Sequence, residues 1–286
     1  MSSAGPRESA LATHTCALYR QALLALQAAQ VPFLVGGAYA LAHYTGIHRD
    51  TKDFDIFVQP HMCARTLEVL GAAGYHTELT FPHWLGKALC SDGGCIDVIF
   101  SSGNGIAQVD ETWFTFAVTA EILGIPVQLC PPEEMLWSKS YVMERERYDG
   151  ADVAHLLRAY GKRFDWRRLL HRFGSHWRVL LSHLILFGFV YPAEQSRIPA
   201  LVMQELLQRL QCEQHKPPPF DQICQGTLLS RAQYCIDING WGYCDARLEP
   251  IGRMTAADIA HWTAAIAGEE NTHVDPTGDH ACSGRW

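Results

Sequence analysis

The chain has 286 residues, of which 48% are hydrophobic and 19% charged; this balance excludes a wholly disordered polymer and allows one large or two ordinary domains. A formal net charge of −7 excludes bulk electrostatic attraction to nucleic acid, so any polyanion contact must be a local patch. Residues 1–15 have neither a basic start nor an apolar run, and no secretory signal is expected there.

Leucines and alanines at helical spacing predict a helix over residues 16–29, followed by a strand over 32–35 and a short helix over 38–44. Residues 54–58 are β-branched and aromatic and predict a strand. A helix over 63–73 ends at Gly74, and strands are expected over 75–79, 85–90 and 96–100, with Gly93-Gly94 turning the last two into a hairpin. The polar segment 101–105 reads as a mobile cover. Residues 114–123 and 127–129 add strands around a turn at Gly124. After Pro131-Pro132 the pattern turns helical, over 133–147, 150–160, 166–173, 176–189 and 198–211. The Pro217-Pro218-Pro219 linker interrupts it, helices resume over 228–238 and 256–267, and the polar tail beyond Gly268 should fray. The expectation is an α+β chain with a small mixed-sheet domain over residues 1–130 and a helical domain over 131–286. The longest apolar run, 179–190, contains Ser182 and His183 and is too short to span a bilayer, so a cytoplasmic protein without a membrane partner is expected.

The chemistry concentrates in three places. On the 54–58 strand, Asp53 and Asp55 share one face while Phe54 and Ile56 point into the core. Asp97 stands opposite Ile96 and Val98 on a second strand, and adjacency of the two strands would converge three carboxylates. Carboxylates so placed repel one another unless a cation lies between them, and hard divalent ions take oxygen ligands together with substrate phosphates. Gly36-Gly37, lacking Cβ atoms, lets the backbone approach a ligand closely ahead of a helix N-terminus.

Gly36-Gly37 with Ala38-Tyr39-Ala40-Leu41, then Arg49, Thr51, Asp53 and Asp55, and Asp97 later, resembles the nucleotidyltransferase superfamily related to DNA polymerase beta, and within it the bacterial stand-alone branch of AbiEii-type toxins. Glu133 to Lys139 followed by Arg145, Asp149 and Asp152 resembles a further segment of that branch, although Tyr148 stands where a lysine is common. The resemblance covers about the first half of the chain. It implies transfer of a nucleoside monophosphate from an NTP to an acceptor, RNA such as tRNA or a small hydroxylated molecule, with pyrophosphate released. It implies Mg2+, two ions with Mn2+ able to substitute, on Asp53, Asp55 and Asp97; nucleotide contacts from Gly36, Gly37, Arg49, Thr51 and Lys139; a catalytic role for Lys139; and a cognate antitoxin protein as a partner. The competing reading is a non-catalytic module that keeps the fold and binds a nucleotide or a protein.

Other residues have blander readings beside their functional ones. Arg49 pairs with Asp50 or contacts phosphate, and Thr51 caps a turn or orients a carboxylate. Asp149 and Asp152 suit a helix N-terminus. Arg158, Lys162, Arg163, Arg167, Arg168, Arg172 and Arg178 form a solvated helix face or a groove for a polyanion. Ten cysteines without a C-x-x-C spacing argue against zinc, and Cys16, Cys130, Cys212 and Cys235 read as small hydrophobes in a reducing interior. His76, His83, His155, His171, His176 and His183 lack metal-ligand spacing. Trp137, Trp166, Trp177, Trp241 and Trp262 read as core, and 238–243 as a specific glycine turn.

Overall fold

The computed structural model describes residues 6–51, 53–90, 94–215 and 222–271. Gly93, the Pro217-Pro218-Pro219 linker and the tail beyond residue 271 lie outside the described residues. In chain order, α1 (Pro6–Ala28), β1 (Leu34–Val35), α2 (Gly37–Thr45), β2 (Asp53–Phe57), α3 (Cys63–Ala72), β3 (His76–Phe81), β4 (Leu85–Leu89) and β5 (Cys95–Ile99) come first. Next are α4 (Glu111–Thr115), β6 (Val118–Ile122), β7 (Ile125–Leu129), α5 (Pro132–Lys139), α6 (Gly150–Tyr160), α7 (Trp166–Phe173), α8 (Trp177–Val190) and α9 (Ala200–Gln214). β8 (Ile223–Cys224), α10 (Cys235–Asn239), β9 (Cys244–Asp245) and α11 (Ala256–Asn271) complete the chain.

Seven strands form one mixed sheet in the order β3-β4-β5-β2-β1-β7-β6. β2 runs parallel to β5 in strict register, and β4 runs antiparallel to β5 on its other side. Alternation then divides the sheet into two faces. Phe54, Ile56, Ile96 and Val98 are fully buried on one, where Tyr19 of α1 packs on Phe54 at a ring separation of 4.9 Å and Leu67 of α3 packs on Gly86. Burying such side chains stabilises the fold by about 1.5–3 kcal/mol each. The opposite face carries the acids.

Several expected elements come out differently. The segment 114–123 splits into α4, capped by Asp110 through Thr112 N–H at 3.0 Å, and β6. The hairpin from β6 to β7 turns on Leu123 and Gly124, both at positive φ, as the right-handed strand twist demands. The helix expected over 133–147 ends at Lys139, because Glu144 is drawn away by Arg231 N–H at 2.9 Å and residues Met143 and Tyr148 bridge back on each other. The helix expected over 228–238 reduces to α10 preceded by a turn, and β8 pairs with β9 instead. Segment 101–105 is no mobile cover: Asn104 is buried and donates to Leu228 C=O at 2.7 Å, and the Trp262 ring of α11 packs on Gly103. Trp241 is 65% exposed, so it is not core, and Cys212 is exposed rather than packed.

The basic stretch divides: Lys162, Arg163 and Arg167 are exposed, whereas four of its seven members are ion-paired. Arg168 pairs with the buried Glu133 and Glu134, Arg172 with Asp110 at 2.6 Å and with Glu134 at 3.2 Å, Arg158 with Glu194, and Arg178 with Glu213. By length and composition alone, Trp166–Val190 is apolar enough to cross a membrane. In the fold it is two helices broken at Gly174, with the Arg168 and Arg172 pairs on the first and the Arg178 pair on the second.

Candidate active site

Register builds the acidic face. Asp55 on β2 lies directly beside Asp97 on β5, and Asp53 lies beside Cys95 one step earlier, so Asp53, Asp55 and Asp97 share a face. Among the described residues, however, no three His, Cys, Asp or Glu side chains are close enough together to form a closed metal cage. Gly37 fixes the approach of α2. Its φ is +55°, and a Cβ there would overlap the Asp55 carboxylate, standing 2.6 Å from its Cγ. Gly36 N–H donates to Asp55 C=O at 3.0 Å, tying the glycine turn to the strand.

Asp55 is the strained charge of the group. Burial pushes its carboxyl up to about 6, and the neighbouring Asp97 and Asp53 push the same way, while the charges of Lys139 and Arg147 work against them. No hydrogen bond or ion pair reaches the Asp55 side chain among the described residues. Asp97 differs, because Lys87, directly opposite it on β4, donates to its Oδ1 at 2.8 Å. Burial disfavours the Lys87 charge, yet the hydrogen bond and charge of Asp97 hold the ammonium above its ordinary value. Cys95 Sγ lies 3.3 Å from the same Oδ1, and burial, helped by the Asp97 charge, pushes this thiol up to about 12, so it stays protonated as a donor. Lys87 is a site residue that the motif reading missed.

A second group stands across from the sheet. Lys139, at the end of α5, contacts Asp149 and Asp152 at 2.8 Å each. Arg147 holds Asp149 with two bonds of 3.0 and 3.1 Å, and Arg49 pairs with Asp152 rather than with Asp50. Burial works against the charge of both acids, but Lys139, with Arg147 for Asp149 and Arg49 for Asp152, holds both carboxyls below the usual range. Thr51 Oγ1 bonds backbone atoms of Asp53, donating to its C=O at 2.9 Å, and so settles the turn rather than a carboxylate. Arg145 has no partner in this group. Of the histidines, His183 is buried and bonded to Ser140 C=O at 2.9 Å, a packing role.

No family model matches the chain, and no curated protein matches it. Solved structures do. The antibiotic-resistance factor ANT(2'')-Ia is similar at 16% identity over 71% of this chain and 96% of that one, with a TM-score of 0.39. JHP933 from Helicobacter pylori is similar at 15% identity over 74% and 97%, with a TM-score of 0.38. The lincosamide antibiotic adenylyltransferase LnuA is similar at 14% identity over 49% and 94%, with a TM-score of 0.37. At such scores the likeness carries no conclusion about activity.

Proposed function

We propose that the chain is a metal-dependent nucleotidyltransferase. The observation that carries this reading is the side-by-side pair Asp55 and Asp97 beneath a glycine turn, with Asp55 left without a cation of its own. The donor set suits Mg2+: one or two carboxylates are its common protein ligands, with substrate phosphates completing the shell, so a three-residue cage is not required. Asp55, with Asp53 beside it, would hold the ion, which when bound neutralises phosphate charge and polarises the α-phosphate. The α2 N-terminus behind Gly37 faces the same space and favours anions.

The residues divide the remaining work. Arg49, Lys139 and Arg147 set three cations against the two carboxylates Asp149 and Asp152, and the surplus positive charge suits a triphosphate. An acceptor hydroxyl oxygen attacks the α-phosphorus, the new P–O bond forms as the bond to the β-phosphate bridging oxygen breaks, and pyrophosphate leaves with that electron pair. The hydroxyl proton passes to the Asp97 carboxylate. With four of the seven arginines and lysines of the basic stretch already ion-paired, a groove for RNA loses its support. The reading therefore takes a small hydroxylated molecule as acceptor.

The test uses each labelled NTP with Mg2+ and cell extract, comparing wild type with Asp53→Ala/Asp55→Ala and resolving products by size. A small labelled adduct formed only by wild type is expected. Label on large RNA would reverse the choice of acceptor, and equal products from both proteins would remove the enzymatic reading altogether.

A further inference from the structure

We infer that Lys87 stands in for a second metal ion: its ammonium occupies the position beside Asp97, so this site works with a single divalent cation on the Asp53 and Asp55 side. The inference deepens the proposed nucleotidyl transfer and rests on it. Two-metal sites need carboxylates that ligate both ions. Here Asp97 Oδ1 already accepts from Lys87 Nζ at 2.8 Å and lies 3.3 Å from Cys95 Sγ, and Lys87 Nζ lies 3.7 Å from that sulfur.

The arrangement is built into the sheet rather than adopted by a loose side chain. Lys87 is the direct cross-strand partner of Asp97, with Leu89 opposite Cys95 and Leu85 opposite Ile99 in the same ladder. Side chains directly opposite in an antiparallel pair stand about 4.5–5.5 Å apart at Cβ, so the ammonium stays within reach of the carboxylate as long as the hairpin holds. A slip of one residue would carry Lys87 to the buried face, where Gly86 packs under Leu67, and nothing there could take a charge. Lys87 approaches from β4, the side of β5 away from β2, so it compensates Asp97 and leaves Asp55 open. A point charge of this kind replaces the electrostatic function of an ion without needing an ion's coordination shell.

The experiment counts bound Mn2+ per chain by the loss of the free-ion paramagnetic resonance signal, with Mn2+ alone and again with a non-hydrolysable NTP analogue. Wild type is expected to bind one ion at the protein, Lys87→Arg one, and Lys87→Met and Lys87→Gln two, with the second ion lost again in Lys87→Met/Asp97→Asn. Two ions in wild type, or one ion in both neutral variants with the fold intact by circular dichroism, would overturn the inference. Turnover would persist in wild type in either case. Absence of any bound Mn2+ in wild type, with or without nucleotide, would instead remove the metal-dependent reading and this inference with it.

Discussion

The molecule holds two groups of acids that face one another, and they are built on opposite principles. Asp149 and Asp152 are closed by Lys139, Arg147 and Arg49, and both are held below the ordinary carboxyl range. On the sheet, Asp97 takes the Lys87 ammonium, and the neighbouring Asp55 is forced up to about 6. A carboxylate whose charge the fold completes is part of the scaffold. One whose charge the fold leaves unbalanced, where burial makes that expensive, is prepared for something the chain does not itself provide.

Variants that exchange these two characters test the contrast. Asp55→Asn should lower NTP turnover on the order of 10⁴-fold while leaving the urea midpoint equal or higher, since it relieves repulsion. Lys139→Ala should do the reverse of that stability result, lowering the unfolding free energy by about 3–5 kcal/mol because Asp149 and Asp152 stay buried with less compensation. Gly37→Ala should cost about 1–3 kcal/mol, through strain at φ +55° and displacement of Asp55, and should weaken Mn2+ binding in parallel.

Acid titration of stability separates the groups by sign. Asp55 binds its proton more tightly folded than unfolded, so unfolding free energy should fall as pH rises from about 4 to about 6, and Asp55→Asn should remove that slope. Asp149 and Asp152 bind theirs less tightly folded, so their contribution is complete above about pH 4 and is lost as pH falls further. Arg49→Ala should have the smallest effect, under about 1 kcal/mol by urea denaturation, because the Arg49 side chain is 46% exposed.

Strand alternation made the sheet face legible. Phe54 and Ile56 against Asp53 and Asp55, and Ile96 and Val98 against Asp97, announce which way the acids point, and the register places them side by side. Lys87 was not recoverable in the same way: a turn centred on Gly93-Gly94 would pair it with Phe100 rather than with Asp97, its observed partner, and a lone lysine in a strand has no motif to draw the eye. The second group was harder. Apolar residues continue past Lys139 in helical rhythm, and only bonds from distant residues, Ser230 and Arg231 to Glu144, pull the chain out of the helix and return Asp149 to Lys139. Local pattern yields to tertiary contact there. The arginines of α7 look alike in sequence, and only burial of Glu133 and Glu134 distinguishes Arg168 and Arg172 from their solvent-facing neighbours.

That buried cluster bears on whether the two halves could live apart. Glu134 has no exposed surface, its cations come from α7, and Arg172 reaches onward to Asp110 ahead of β6. Severing the polypeptide near residue 130 would strand Asp110 on one fragment without its guanidinium and open the Glu134 pocket of the other to water. The boundary between sheet and helices is thus a change of secondary structure and not a line of autonomy, and swapping either half for that of a relative would have to carry Asp110, Glu133, Glu134, Arg168 and Arg172 together.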